Sequence, residues 1–397
     1  MVLDGRPVLL LCSGNYLGLS DHPRVRKAAA DAAMRWGVSA GSPRSVAGTM
    51  TIHRRLEERL ADFVSRQSAI VFGAGLEAST GVIGALAGPG DIVFSDEFNQ
   101  PSAADGCRAS GAELFVYQHL DLEHLVWGIE NTDGRAALIV SESLFGLNGD
   151  LAPLADLAYL AERHGVRLMI DEAHALGTFG PCGRGAVAEA GLEDVVDVLA
   201  GSLDNALGSM GAFVACDEEL ARYLRAGART FTFCAAAGPP AVAGALAALE
   251  LLQERPELVR RLAANTSALR RELEREGFDL GGYLTHIVAL ALGDPGQAAQ
   301  AGAKMVEQNA FVQTLLPPAV SPASSGVRLT VMASHQPEEL RAAARSLGQI
   351  IRQRPAATPR PVPERSSYEA RVFDLDGDER PRGTRLFDVE ADEPLAA

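Results

Sequence analysis

The stretch that decides the fold is residues 196–211, which read VDVLAGSLDNALGSMG. It begins with a largely apolar run at residues 196–200, and residues 212–216 form another run directly after it. Apolar runs of this length predict strands that are buried on both faces of a sheet. Two polar side chains, Asp204 and Asn205, follow the first run, and ligands of such sheets bind beyond the carboxyl ends of the strands. The stretch therefore predicts a buried strand that leads into a binding crevice.

The composition is that of an ordinary folded protein and excludes several classes of function. The chain has 397 residues, 47% of them hydrophobic, with a net charge of −15 and a pI near 5.0. An acidic chain is a poor binder of nucleic-acid phosphates, so we expect no nucleic-acid partner. The five cysteines include no CxxC pair, no signal peptide or membrane span is recognisable, and no metal-ligand spacing occurs. We therefore predict a cytoplasmic protein with reduced thiols, no membrane association and no metal.

Between residues 69 and 233, strand-like runs alternate with amphipathic stretches such as residues 154–163 and 218–226. This alternation predicts an α/β fold in which helices cover both faces of a mostly parallel sheet. The predicted strands are residues 70–72, 92–95, 114–117, 137–141, 167–170, 196–200 and 212–216.

A smaller α+β domain is predicted to follow, beginning with one long helix at residues 240–276. After Arg354 the sequence is rich in proline, arginine and acidic residues, and RVFDLDGDE at 371–379 recurs as RLFDVEADE at 385–393. This tail is either a solvated acidic segment or a motif that docks or is read by a partner. Further predicted elements of the domain are strands at 286–292 and 326–332 and helices at 297–307 and 337–352.

Several motifs resemble those of the α-oxoamine synthases, which use pyridoxal phosphate (PLP) to condense an amino acid with an acyl thioester. Residues 196–211 resemble the family pattern D-x-x-x-G-T-L-x-K-A-x-G-x-x-G-G, and residues 142–150, ESLFGLNGD, resemble ESxFSMDGD. Residues 171–174 read DEAH, and residues 15–19 read NYLGL, as in the family. The resemblance covers about residues 5–350 and implies a fold type I PLP-transferase architecture and a homodimer. Because family members carry a helix ahead of this point, we expect part of the dimer surface or substrate channel to be uncovered.

The resemblance also suggests how the chain is divided. The domains implied are residues 1–45, which join the small domain; 46–240, the large α/β domain; 241–354, the long helix and small domain; and 355–397, the tail.

The cofactor site departs from the family pattern at several positions. The resemblance puts the Schiff-base lysine at position 205, where this chain has Asn205, whose amide cannot form that bond. Gln100 replaces a histidine that stacks on the cofactor ring, Ala235 replaces a phosphate-contacting threonine, and Asp204 lies near the phosphate. A like-charge pair at about 4 Å costs about 4 kcal/mol at an effective dielectric of about 20. We therefore expect no cofactor. The degenerate site would comprise Gly75, Leu76, Ser202, Asp204, Asn205 and Ala235.

The substrate side of the pattern is retained. Arg328 matches the arginine that holds the amino-acid carboxylate, for which a guanidinium fork is well suited. His174 matches an acid/base histidine beside the cofactor face, and Asp171 matches the partner of the pyridinium nitrogen. The predicted catalytic residues are His174, Asp171 and Asn205, and the predicted substrate-binding residues are Asn15, Arg328, Ser143 and Gln100.

These residues leave three kinds of function open, the third being a protein that binds a metabolite or a partner through its tail and catalyses nothing. The first is an acyltransferase that brings an acyl-CoA or acyl carrier protein to an amino-acid-like acceptor and forms an amide without PLP. The second is a non-catalytic subunit or binding protein that pairs with an active homologue. The retention of Asn15, His174 and Arg328 together favours the first.

Overall fold

The computed structural model describes residues 1–3 and 5–352, so the repeated tail lies outside the described residues. Its strands are β1 (Val2–Leu3), β2 (Arg6–Pro7), β3 (Leu9–Leu11), β4 (Ser68–Phe72), β5 (Asp91–Asp96), β6 (Glu113–Tyr117), β7 (Arg135–Glu142), β8 (Arg167–Asp171), β9 (Val198–Ser202), β10 (Ala212–Cys216), β11 (Ile287–Ala291), β12 (Ala310–Leu315) and β13 (Gly326–Thr330). Its α-helices are α1 (Pro23–Trp36), α2 (Thr51–Phe63), α3 (Gly75–Leu86), α4 (Ser102–Ser110), α5 (Leu122–Asn131), α6 (Leu154–His164), α7 (Ala186–Glu189), α8 (Glu218–Gly227), α9 (Arg229–Phe233), α10 (Pro239–Glu254), α11 (Glu257–Arg275), α12 (Pro295–Glu307) and α13 (Pro337–Arg352).

The large sheet has seven strands in the order β4-β10-β9-β8-β7-β5-β6. The neighbours from β9 to β6 run parallel, whereas β10 is antiparallel to both β4 and β9. The strands are apolar along their length because helices cover both faces, and two separate hydrophobic clusters fill these faces. The predicted mostly parallel α/β sheet is confirmed.

The small sheet has the order β11-β13-β12-β3, in which β3 joins from the start of the chain by pairing in parallel with β12. The prediction for this region missed β12 and misplaced one helix. The expected single helix at 240–276 is two helices, α10 and α11, separated at Arg255 and Pro256. Proline has no backbone N–H and disfavours helical geometry in the residue before it, so the helix ends there.

The carboxyl ends of β7, β8 and β9 lie side by side at one edge of the large sheet, since β8 pairs with both of the others. The small sheet faces this edge, and Thr285 Oγ1, just before β11, donates to Gly149 O across the junction at 2.7 Å. This junction forms the crevice in which the predicted site residues meet. No helix in the described part of the chain is long and apolar enough to cross a membrane.

Candidate functional site

The crevice brings together Asp171, His174 and Asn205 from the large domain and Arg328 from the small one. Asp171 ends β8, His174 follows it in a tight turn, and Asn205 lies three residues after β9. Arg328 is in β13, and burial and the positive charge of Arg328 both lower the pKa of His174, to about 3. The imidazole is therefore neutral at physiological pH.

His174 is held by Tyr16, which lies in the loop after β3. The Tyr16 hydroxyl is 2.6 Å from His174 Nδ1, and Tyr16 is only 1% exposed. On the other side of the imidazole, a Cβ atom on Gly146 would clash with Nε2, so this close approach requires glycine. His286 packs edge-on against Tyr16 with ring centroids 4.2 Å apart. Burial lowers the pKa of His286 well below the usual value for histidine.

Arg328 is the cation of the crevice. Its Nη1 donates to Gln313 Oε1 at 2.7 Å. The two residues lie directly opposite each other on the paired strands β12 and β13. Its Nε is buried and has no hydrogen-bond partner among the described residues. Burial lowers the pKa of Arg328, although Tyr16 and Glu142 oppose this shift. The side chain of Arg328 as a whole is half-buried, and a guanidinium offers its donors in a fork that suits a carboxylate.

Two carboxyl groups, Glu142 and Asp171, lie opposite each other on β7 and β8. Asp171 Oδ1 accepts from Ala173 N at 2.8 Å, and burial raises the pKa of Asp171 to about 6. Glu142 accepts from Gln100 N at 2.9 Å and from Gly146 N at 2.8 Å, yet burial raises its pKa to about 8. A cation bound beside these carboxyl groups would lower both raised pKa values.

Asn205 is bound into the local backbone. Its Nδ2 donates to Ala173 O at 2.8 Å, and its Oδ1 lies where a side chain on Gly14 would stand. The amide therefore fills the floor of the crevice between the loop after β3 and the turn after β8. The chain contains two lysines in all, Lys27 in α1 and Lys304 in α12, and neither lies in this turn.

The predicted phosphate end of the cofactor site is acidic. Asp204 is exposed and bonds the hydroxyl of Ser202, while Glu77 caps the turn before α3 by accepting from Gly73 N at 3.0 Å. Gly75 and Leu76 open the same helix, and no atom lies within 4 Å of a Cβ built on Gly75. Ala235 forms an isolated β-bridge with Pro43.

Two predicted substrate contacts, Asn15 and Ser143, already have intramolecular side-chain partners. The side-chain amide of Asn15 is hydrogen-bonded to Ser20: Asn15 Nδ2 donates to Ser20 Oγ at 2.7 Å, and Asn15 Oδ1 accepts from Ser20 N. Ser143 is fully buried, and its Oγ donates to Asp171 O at 3.3 Å. Gln100 is exposed and lines a small cleft together with Glu142 and Asp171. These roles stay predictions.

Sequence reasoning missed a buried cluster around His119. Its Nδ1 donates to Asp96 at 2.7 Å and its Nε2 to Asp150 at 3.2 Å, while Phe98 stacks on the ring at 4.0 Å between centroids. Burial alone would lower the pKa of His119, but the bonds to Asp150 and Asp96 raise it to about 9. A histidine near the end of a predicted strand was the available signal. In the part of the chain that the structure describes, no group of three or more His, Cys, Asp or Glu could hold a metal ion.

The comparisons with known proteins agree with this geometry. The model of the family described as aminotransferase class I and II matches residues 6–347. The 8-amino-7-oxononanoate synthase of Anaeromyxobacter dehalogenans is 42% identical over 358 residues, which cover 90% of this chain and 90% of that protein. That of Citrifermentans bemidjiense is 41% identical over 351 residues, covering 88% and 90%.

The solved structures of serine palmitoyltransferase are similar over the same span. The enzyme of Sphingomonas wittichii superposes with a TM-score of 0.84 at 30% identity and covers 88% of each chain. A lysine-to-alanine variant from S. paucimobilis with a bound PLP–myriocin aldimine has a TM-score of 0.85 at 32% identity, over 88% of this chain and 89% of that chain.

These structures correct the prediction that no cofactor is expected. One serine palmitoyltransferase structure holds PLP as an internal aldimine, and the lysine-to-alanine variant holds it as an aldimine with myriocin. A protein of this fold can therefore retain PLP through a ligand after losing a lysine. The prediction was wrong because it took the loss of the Schiff-base lysine, together with the changes at positions 100, 204 and 235, as sufficient to exclude the cofactor.

The family match, the identity to the curated relatives and the seven-stranded sheet all lead to one assignment. This chain belongs to the aminotransferase class I and II family, has the fold type I architecture of PLP transferases, and fits the α-oxoamine synthases within that family.

Proposed function

We propose that this chain is an acyltransferase of the α-oxoamine synthase type. It takes an acyl group from a thioester of coenzyme A or of a carrier protein and passes it to an amino-acid-like acceptor. A bond forms between the acceptor and the thioester carbonyl carbon, the C–S bond breaks, and the sulfur leaves with the electron pair as a thiol. The relatives named 8-amino-7-oxononanoate synthase and serine palmitoyltransferase support this class of reaction.

The observation that carries the proposal is the placement of Arg328 in the crevice. The side chain of Arg328 is half-buried and lies beside the Tyr16–His174 pair. An acceptor carboxylate on this guanidinium would put the neighbouring amine and α-carbon near His174, so the acceptor is oriented before the thioester arrives.

The residues fit the ring of PLP better than its phosphate. Burial raises the pKa of the Asp171 carboxyl group. The positive charge of a pyridinium beside it would favour the ionised carboxylate and so offset this rise. Asp204 and Glu77 oppose a phosphate dianion, and Asn205 can form no covalent bond to the cofactor. We therefore propose that PLP binds here without a covalent bond to the chain and more weakly than a lysine would allow. When bound, PLP supplies an electron sink for a carbanion.

The expected amide product stays a prediction. In amide formation the acceptor amine attacks the thioester carbonyl and the acceptor carboxylate is kept. In a decarboxylating condensation the new bond is at the α-carbon and carbon dioxide leaves. Measuring carbon dioxide beside thiol release separates the two reactions: the amide prediction requires that none is released, whereas carbon dioxide from the PLP-saturated protein would replace it with the condensation, which uses the electron sink.

Thiol release from a panel of acyl-CoA and acyl carrier protein thioesters, with a panel of amino acids as acceptors, tests the function. Arg328→Ala should raise the acceptor KM by about 10- to 100-fold, the cost of a lost charged hydrogen bond. The matched control is Arg341→Ala, which removes an arginine that, within the described residues, is ion-paired with Glu338 on the surface of α13. Equal KM values in the two variants, or acceptor-independent thiol release, would contradict the proposal.

Asn205 favours one further candidate, a non-catalytic subunit that pairs with a lysine-bearing homologue. This candidate predicts no thiol release from the chain alone and a stable complex when the two chains are produced together. The acyltransferase proposal predicts activity from the chain alone.

We also propose that the chain forms a homodimer. Val46, Leu76 and Phe233 are 77%, 55% and 69% exposed and lie on adjoining elements beside the crevice, as does Met210 at 66%. Ser45 Oγ donates to Thr232 O at 3.0 Å and Thr230 Oγ1 to Glu77 O at 2.6 Å, which ties these elements together. Apolar side chains this exposed beside a crevice mark an interaction surface.

A further inference from the structure

The hydroxyl of Tyr16 lies between two functional groups of the crevice. It is 2.6 Å from His174 Nδ1, and the guanidinium of Arg328 lies beside the same oxygen and opposes the rise in its pKa. A phenol, an imidazole and a guanidinium thus meet at one oxygen atom.

The donor in the Tyr16–His174 bond follows from the chemistry of these three groups. Burial raises the pKa of Tyr16 above its usual range, so the phenol keeps its proton at physiological pH. A guanidinium has no acceptor, so the phenol hydrogen must point to His174 Nδ1. Since His174 is neutral, its single ring hydrogen is then on Nε2.

His174 Nε2 faces the open part of the crevice. No hydrogen-bond partner to this atom occurs among residues 1–3 and 5–352, and Nε2 is not among their buried unpaired atoms. The neighbouring wall is Gly146, where a side chain would occupy the space in front of Nε2. The N–H is therefore free to donate to a ligand.

Tyr16 itself is fixed in place. Its ring packs edge-on against His286, and its backbone oxygen accepts from Ala333 N at 2.7 Å. The loop after β3 thus holds the phenol against the small domain, while its hydroxyl reaches the large one.

We propose that Tyr16 is a positioning residue that holds His174 in the Nε2–H tautomer, so that His174 donates a hydrogen bond to an oxygen atom of the bound ligand. The ligand class is an oxygen acceptor, such as a carbonyl or a phenolate, that lies against Gly146. The acid/base role that the family resemblance implies for His174 stays a prediction, since an Nε2–H can also give up its proton. Its ligand part rests on the proposed function, whereas the tautomer is a property of the free protein.

Nitrogen NMR of the full chain with isotope-labelled histidine tests the inference without any substrate. His174→Gln identifies the signals of His174 by their loss. We expect wild-type His174 to have a protonated Nε2 and an unprotonated Nδ1, unchanged between about pH 5 and pH 9 because its pKa lies far below this range. Tyr16→Phe should shift the Nδ1 signal and mix the two tautomers.

The matched control is Tyr117→Phe, which removes another buried phenol hydroxyl in β6 at 1% exposure. It should leave the His174 signals unchanged. If Tyr16→Phe does not fold, fluorotyrosine at position 16 keeps the ring in place and strengthens the hydroxyl as a donor, so Nδ1 should again shift. Protonation at Nδ1 in the wild type would overturn the inference. So would His174 signals that shift neither in Tyr16→Phe nor with fluorotyrosine at position 16. Failure of the acyltransferase proposal would leave these signals as predicted.

Discussion

At the scale of single residues, the burial of the Asp171 carboxylate in the crevice lowers the stability of the folded protein. Burial raises its pKa to about 6, above the 3.8 of an ordinary aspartate. The folded state therefore binds the proton more tightly than the unfolded state between these values, and stability falls as pH rises through them. In the protein without ligand, the full penalty is present above about pH 6.

Asp171→Asn should remove this penalty, because the amide oxygen can still accept from Ala173 N. We expect the ligand-free variant to be more stable than the wild type at pH 7.5, by about 1 to 3 kcal/mol, with a smaller gain at pH 5. Urea denaturation at the two pH values measures this. A loss of stability, or a gain that is the same at both values, would mean that Asp171 already has a compensating partner.

At the scale of elements, the His119 cluster joins the carboxyl ends of β5 and β6 to the loop after β7. The raised pKa of about 9 means that the charged imidazole stabilises the fold fully below about pH 6.5 and loses this effect as pH rises through 9. His119→Gln should therefore cost up to about 3 kcal/mol at pH 6 and little at pH 9.5.

Urea denaturation of both proteins at pH 6, 8 and 9.5 gives the difference directly, and other titrating groups cancel between them. A difference that stays constant or grows with pH would contradict the charged state of His119.

Local sequence predicted the strands of the large sheet well, because continuous apolar runs such as residues 136–140 in β7 and 212–216 in β10 favour burial on both faces. It failed at Pro256, where a helical composition hid one backbone break, and at β12, where the adjacent polar residues Gln313 and Thr314 interrupt a short apolar run. Asp171, His174 and Arg328, which the sequence motifs singled out, lie together in one crevice. The Tyr16–His174 bond joins residues 158 positions apart, so no local pattern could reveal it.

At the scale of the whole molecule, the exposed apolar residues beside the crevice predict self-association. Phe233→Ser combined with Val46→Ser should convert a dimer into a monomer, because it removes two of the largest exposed side chains from this surface. Light scattering measures the mass. Tyr159→Ser is the control, since Tyr159 is 59% exposed in a groove between α5 and α6 and should not affect the mass. A monomeric wild type would contradict the homodimer.

The central claim is that this chain keeps the crevice of its PLP-binding relatives but makes no covalent bond at position 205. Borohydride reduction of the PLP-saturated protein, followed by peptide mass analysis and by dialysis of an unreduced sample, tests this most directly. We predict that dialysis removes the bound PLP and that reduction labels no residue of the crevice, whereas Asn205→Lys becomes labelled at position 205. A reduced PLP adduct on a crevice residue of the wild type, or failure of Asn205→Lys to be labelled at saturating PLP, would contradict the claim.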